Sequence, residues 1–233
     1  MQTNVKKALR EAFVDTVPVM AGYIVLGMGF GVLLYSKGYG PVWAFAMSAL
    51  IYAGSMQYLA IDLLTGGASL IAAALTTLLV NARHLFYGIS MVEGYRGMGK
   101  TKPYAIFALT DETYSLVCRP KHEDRKQNHR YIFLVSLFNQ CWWVGGSLLG
   151  AVLGQIIPFD VTGIDFALTA LFVTVFIEQW LSSKDHASAI IGVAASVLCL
   201  LIFGAGNFLI PAMASILLAL SVLRLVRKED AHE

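Results

Sequence analysis

The sequence predicts an all-α protein, a polytopic bundle of about seven or eight transmembrane helices forming one domain over residues 1–233. Three observations carry this expectation. Hydrophobic residues make up 57% of the chain and charged residues 14%, with a mean hydropathy of +0.66, whereas a soluble domain carries about 25% charged residues. Apolar runs long enough to cross a bilayer recur along the chain. The net charge is only +2 and the basic residues gather in tails and loops, which speaks of membrane orientation rather than of nucleic acid.

The first run covers residues 17–35, after a charged start with Lys6, Lys7 and Arg10. No small-residue cleavage site follows it, so it reads as a first transmembrane helix and not as a signal peptide. Residues 1–16 fit a separate amphipathic surface helix with Leu9, Phe13 and Val14 toward lipid. Pro18 is then expected in the first turn of the span, with Asp15 or Thr16 as cap. Gly22, Gly27, Gly29 and Gly31 follow, a pattern that lets a neighbouring helix approach closely or breaks a helix near a substrate.

A turn at residues 36–41 leads to a second span over 42–64, interrupted by Tyr52-Ala53-Gly54-Ser55-Met56-Gln57. Residues 68–91 form a third, holding Asn81-Ala82-Arg83-His84-Leu85-Phe86-Tyr87. Residues 104–117 are too short for a comfortable span and are interrupted by Thr110-Asp111-Glu112; they either cross or re-enter. Residues 131–157, 166–181, 187–203 and 208–226 supply four more candidates, the last two being a tight hairpin or one broken helix.

With residues 104–117 counted as a span, eight crossings place the N-terminus, the basic loop 119–130 and the C-terminus on the cytoplasmic side. The basic loop 93–102 then falls outside, against the positive-inside rule. An internal duplication, about residues 17–118 and 131–226, is suggested by matches in the same order. Residues 46–50 resemble 167–171, residues 68–71 resemble 187–190, and Gly27 and Gly31 fall opposite Gly146 and Gly150 at an offset of 119. Four spans in each half would make the repeats parallel, and an odd number inverted.

Arg83 poses an energetic problem. At membrane depth an arginine costs roughly 2.5–3.5 kcal/mol on insertion scales, so it needs a partner, and such groups mark functional sites. Asp111, Glu112 and Glu178 are candidate partners, and a guanidinium is equally a bidentate receptor for a substrate carboxylate. Gly54, Ser55 and Gln57 would offer backbone groups and an amide at a helix break, and Asn81 is a further polar group at membrane depth. These residues, with Arg83, Asp111 and Glu112, form the expected substrate site, and His84 and Glu178 are candidates for proton coupling. A buried structural ion pair is the competing reading of Arg83.

The three scattered cysteines, Cys118, Cys141 and Cys199, suggest neither disulfide nor metal site. No His-Glu-x-x-His or Gly-x-Ser-x-Gly pattern occurs. No cofactor, metal or ATP hydrolysis is expected, and the chain does not read as an enzyme. A channel, or a membrane-embedded enzyme using Asp111, Glu112 and His84 as acid and base, are the alternatives.

The chain resembles the AzlC-type permeases, the large subunit of the branched-chain amino acid exporter family. The likeness lies in Pro18, Gly27-Met-Gly-Phe-Gly31, Tyr52-Ala-Gly-Ser-Met-Gln57, Asn81-Ala-Arg-His-Leu-Phe-Tyr-Gly88 and Leu109-Thr-Asp-Glu-Thr-Tyr114. It implies a multi-pass protein of the bacterial plasma membrane that exports leucine, isoleucine, valine or close analogues, together with a small AzlD-type membrane subunit. Coupling to the proton gradient or the membrane potential is the mechanism expected of such a chain.

Overall fold

The computed structural model describes residues 2–157, 166, 169, 170, 173, 176, 177, 180, 181, 185–204 and 208–229. All regular elements among them are helical: α1 (Gln2–Ser36), α2 (Pro41–Leu50), α3 (Gly54–Thr65), α4 (Leu70–Val80), α5 (Ala82–Ser90), a 3₁₀ turn (Gly99–Thr101), α6 (Lys102–Phe107), α7 (Asp111–Val117), α8 (Arg125–Ile156), α9 (Ala187–Phe203) and α10 (Leu209–Glu229). Contacts divide the chain into two compact units, residues 1–73 with 80–168 and residues 74–79 with 169–233.

Three stretches among the described residues are long and apolar enough to cross a membrane, Val5–Ser36, Leu70–Ser90 and Arg125–Ile156. Pro41–Leu50, Ala187–Phe203 and Pro211–Leu223 are shorter apolar helices. Leu70, Ile71, Leu85 and Ile89 are all exposed, as suits side chains that meet lipid. The expected span over 166–181 falls largely outside the described residues.

The first unit is built on α1 and α8. Gly27, Gly31, Gly146 and Gly150 replace side chains with bare backbone where the two helices touch. A Cβ added at Gly27 would lie 2.9 Å from Ser147 N, one at Gly31 would overlap Ser147 O, and one at Gly150 would overlap Met28 O. Without a hydrophobic drive between helices in lipid, such contact is what holds them. The contacts advance together along both helices: Phe13 meets Phe138 and Trp142, Gly27 meets Gly146, Gly31 meets Gly150, and Tyr35 meets Gly154. α1 and α8 therefore run parallel.

α1 corrects one expectation. Residues 1–16 and 17–35 are not separate, and Pro18 lies inside one 35-residue helix. Proline removes one N–H from the helix ladder, a loss that packing along α8 offsets.

Two further pairs of helices turn back on themselves instead of running straight. The break between α2 and α3 falls at Tyr52, held at φ +45°, in the left-handed region, and at Ala53, whose φ of −135° ends the helical path. Gln57 Nε2 donates to Ser48 Oγ at 3.0 Å across this break. α6 runs beside α8, Tyr104 packing on Phe133 and bonding Gln140 at 2.6 Å. α7 then runs the other way, with Thr113 level with Asn139, and after it Lys121 reaches Asn128. The tips of the two hairpins meet where Tyr52 and Phe107 lie 6.3 Å apart, ring centre to ring centre.

The turn-back of α6 and α7 corrects the expected layout of the loops. Glu93 O accepts from Arg125 Nη2 at 3.5 Å, Lys121 pairs with Asp15 at 2.6 Å, and His122 lies 3.1 Å from Glu11. The first turns of α1, the loop before α6 and the loop before α8 thus share one end of the unit. The basic loop 93–102 does not lie opposite the start of α1 and the basic loop 119–130, because residues 102–117 go out and return. In a variant lacking the three native cysteines, Lys100→Cys and Lys121→Cys should react with an impermeant thiol reagent from the face that labels Lys7→Cys. Lys37→Cys should react from the other face, and labelling of position 100 from that face would contradict the arrangement.

In the second unit, α9 and α10 form a hairpin and not one broken helix. Cys199 Sγ and Ser215 Oγ, sixteen residues apart in sequence, lie at 3.4 Å, and the Ser215 hydroxyl bonds back to the Pro211 carbonyl.

Candidate functional site

Arg83, on the first turn of α5, reaches the place where the hairpin tips meet. Its Nη1 lies 2.6 Å from Asp111 Oδ2 and its Nη2 donates to Ser55 Oγ at 2.9 Å. One guanidinium therefore joins the start of α3 to the start of α7. The side chains of Arg83 and Asp111 keep 37% and 35% of their surface open, so the pair faces an approachable space and not a sealed core.

The two helix starts differ in chemistry. α7 has the sequence of a good N-terminus: Thr110 caps it, accepting from Thr113 N at 3.2 Å, and Asp111 and Glu112 lie in the first turn, where carboxylates complement the helix dipole. α3 begins at Gly54 behind Ala53, with no side-chain cap and no acidic residue in its first turn. The first N–H groups of a helix lack internal acceptors, and such an end attracts anions.

Arg83 Nε and Asp111 Oδ1 are buried without a hydrogen-bond partner, as is Asn81 Oδ1 at the N-cap of α5. One is a donor and two are acceptors. Buried polar groups are nearly always satisfied by protein or by ordered water.

The structure separates Glu112 from Asp111. Glu112 Oε2 accepts the Tyr23 hydroxyl at 2.6 Å, and Tyr23 is also 2.8 Å from Thr110 Oγ1. Thr113, bonded to Thr110 at 3.1 Å and to Asn139 Nδ2 at 3.1 Å, continues this network to α8. Gln57 is wholly buried, its amide bonded to Ser48 and its carbonyl accepting Trp143 Nε1 at 2.8 Å. Gly54 lies against that indole, where an added Cβ would be 3.0 Å from Cη2. His84 meets Tyr87 edge to face at 6.0 Å, and Tyr87 stacks on Tyr114 at 4.6 Å. Glu178 lies outside the described residues.

Of the nine expected site residues, Ser55, Arg83 and Asp111 thus meet at one point, Gly54 adjoins it, Asn81 stands at the N-cap of α5 two residues before Arg83, and Gln57 and Glu112 are bound into the walls. Tyr23, Thr110 and Thr113 escaped the reading of the sequence. Only Thr110 left a signal there, a threonine just before two acidic residues, which is how a capped helix starts.

Gly94-Tyr95-Arg96-Gly97-Met98-Gly99-Lys100-Thr101 has the spacing Gly-x-x-x-x-Gly-Lys-Thr of a nucleotide-binding loop, which the expectation of no ATP use passed over. The structure denies it the context that motif needs, a strand before and a long helix after. Turns precede it, and α6 after it has six residues with Pro103 near its start. Among the described residues, no three His, Cys, Asp or Glu side chains gather as metal ligands.

The AzlC protein family matches residues 18–157, the stretch that holds both hairpins and Arg83. The chain is 42% identical over 96% of its length, and 88% of the relative's, to the branched-chain amino acid transport protein AzlC of Bacillus subtilis (strain 168). It is 38% identical to a membrane protein of Helicobacter pylori (strain ATCC 700392 / 26695), covering 94% of the chain and 96% of the relative. It is 27% identical to the inner membrane protein YgaZ of Escherichia coli (strain K12), with 80% of each covered. No solved structure matches.

Proposed function

The chain belongs to the AzlC family of multi-pass membrane proteins, and from that premise we propose that it is a secondary transporter subunit exporting leucine, isoleucine, valine or close analogues across the plasma membrane. The observation that supports the reading is the Arg83–Asp111 pair at the hairpin tips, with Arg83 Nε and Asp111 Oδ1 left without a hydrogen-bond partner. An amino acid presents an ammonium with three donors beside a carboxylate. Asp111 Oδ1 and Asn81 Oδ1 supply two acceptors for the ammonium. Arg83 Nε and the uncapped start of α3 supply donors for the carboxylate. The existing Arg83–Asp111 contact keeps both charges paired while the site is empty, which lowers the cost of holding them at membrane depth.

In this reading α1, α4 with α5, and α8 cross the membrane, while α2–α3 and α6–α7 enter from opposite faces and meet in the middle. Small movements of either hairpin would expose the pair to one side at a time. Gln57 and Glu112 serve the site as positioning residues, fixing the tips to Trp143 and Tyr23. Proton coupling falls to His84, next to Arg83, or to Glu178. A small AzlD-type subunit would cover part of the exposed apolar face of α5, where Leu85, Phe86 and Ile89 point outward.

The experiment is leucine efflux from loaded vesicles, with and without a protonophore. Wild-type efflux should fall when the gradient is collapsed. Asp111→Asn should lose at least about tenfold in rate, the scale of one charge-assisted hydrogen bond. Glu112→Gln should retain transport and lower thermal stability. Asp111→Asn exporting at the wild-type rate would remove Asp111 from the substrate site.

A further inference from the structure

At the end of the first unit where α1 and α8 begin lies a cavity of about 430 Å³, lined by Val5, Ala8, Gly97, Met98, Thr101, Lys126, His129, Arg130, Phe133 and Leu134. Lys126, His129 and Arg130 stand three and four residues apart, so they share one face of α8. Phe133 and Leu134 continue the same face one turn deeper. The stripe is cationic at the outer end and apolar below it, and Val5 and Ala8 of α1 face it.

The cations here are uncommitted. Most nearby acidic groups are engaged elsewhere: Glu93 pairs with Arg96 at 3.4 Å, Glu11 lies 3.1 Å from His122, and Asp15 holds Lys121, while Glu123 is exposed and pairs with neither Lys126 nor Arg130. The Asp124 carboxylate accepts from the backbone N–H groups of Lys126 and Gln127. Among the described residues neither Lys126 nor Arg130 takes part in an ion pair, and His129 Nε2 is buried without a hydrogen bond. These cations also stand at the start of a 32-residue helix, whose dipole adds positive potential.

We propose that this cavity binds the phosphate headgroup of an anionic phospholipid. Lys126 and Arg130 hold the phosphate beside the loop at Gly97–Thr101, with His129 between them, and one acyl chain lies along Phe133, Leu134 and Val5. Basic pockets between membrane helices take anionic headgroups in this way. The apolar floor favours a lipid over a free phosphate ester, which would leave that floor in water. The site lies at the end of the unit away from the hairpin tips and does not depend on which substrate is carried.

The test uses the full chain, delipidated in detergent, with palmitoyl-oleoyl phosphatidylglycerol or phosphatidylcholine added, and with ATP or inorganic phosphate as soluble arms. Bound lipid is counted by native mass spectrometry and thermal stability is followed in parallel. Phosphatidylglycerol should be retained at least about fivefold over phosphatidylcholine. The Lys126→Gln/Arg130→Gln variant should lose that preference while keeping leucine transport in neutral lipid, and Lys37→Gln should keep it. A preference that survives in the double variant, or no preference in the wild type, overturns the proposal. If ATP or phosphate stabilises the wild type but not the double variant and phosphatidylglycerol does nothing, the lipid assignment is overturned in favour of a soluble phosphate ester.

Discussion

Arg83→Gln should reduce leucine efflux from loaded vesicles by about 10- to 100-fold without preventing insertion. The guanidinium meets Asp111 at 2.6 Å and Ser55 at 2.9 Å and has Nε to spare. Glutamine keeps a short polar reach but loses the charge and the fork. A hydrogen bond to a charged group contributes about 1.5–3 kcal/mol, which gives that range of rates. The variant also leaves Asp111 without its cation, so its abundance and monodispersity in detergent should be measured beside its transport. Arg83→Lys keeps the charge but not the two-pronged geometry and should recover only part of the activity. An Arg83→Gln protein that is well inserted and exports at the original rate would show that the pair is structural and the substrate sits elsewhere.

Gly31→Ala and Gly150→Ala should each deplete the folded protein from the membrane, though both add a single methyl group. At either position the new Cβ would overlap a carbonyl oxygen of the facing helix, Ser147 O or Met28 O. Backbone cannot rotate aside as a side chain can, so the helices must separate along their length. Overpacking a tight core costs typically about 1–3 kcal/mol, and the separation adds the loss of neighbouring contacts, so a cost above about 3 kcal/mol is expected. Gly145→Ala is the control, since nothing lies within 4 Å of its added Cβ. Thermal unfolding of the three variants in detergent checks the contrast. Equal midpoints would mean that α1 and α8 are not packed through their glycines.

The long apolar runs were legible because composition alone sets them, and the C-terminal ends of α1 and α8 fall within two residues of the expected ones, while both helices start earlier than expected. Gly27 and Gly31 were legible as close-packing positions, and the offset of 119 that aligns them with Gly146 and Gly150 also pairs them in space. Reversal of direction was legible only in residues 104–117, whose shortness made re-entry one of two readings, and not in residues 42–64. Residues 42–64 have enough hydropathy for a crossing, and the turn falls on Tyr52, a residue type that gives no warning of a positive φ. Pro18 misled in the opposite sense, since a proline that would end an isolated helix survives inside one that is packed along its length.

At the site, Arg83 announced itself as a cation in an apolar run, and Asp111 was among its three candidate partners, but the choice between them was not legible. Asp111 and Glu112 are adjacent in the chain, and only the direction in which α7 starts decides that one meets Arg83 and the other Tyr23. Tyr23 is one of ten tyrosines, with nothing in its neighbours to mark it. Gln57 stood out as a polar residue at membrane depth, and the sequence did not show that Trp143 and Ser48 already occupy it.

The backbone contact between α1 and α8 also limits what can move. Sliding either helix by one residue would bring a side chain onto a carbonyl where a glycine now sits, so the pair behaves as a keel, rigid to shear. The hairpins are attached to this keel through hydroxyl, amide and indole hydrogen bonds, each of which can break and re-form at modest cost. The parts that carry Ser55 and Asp111 are thus held to the keel by contacts of a different kind from those that lock the keel itself.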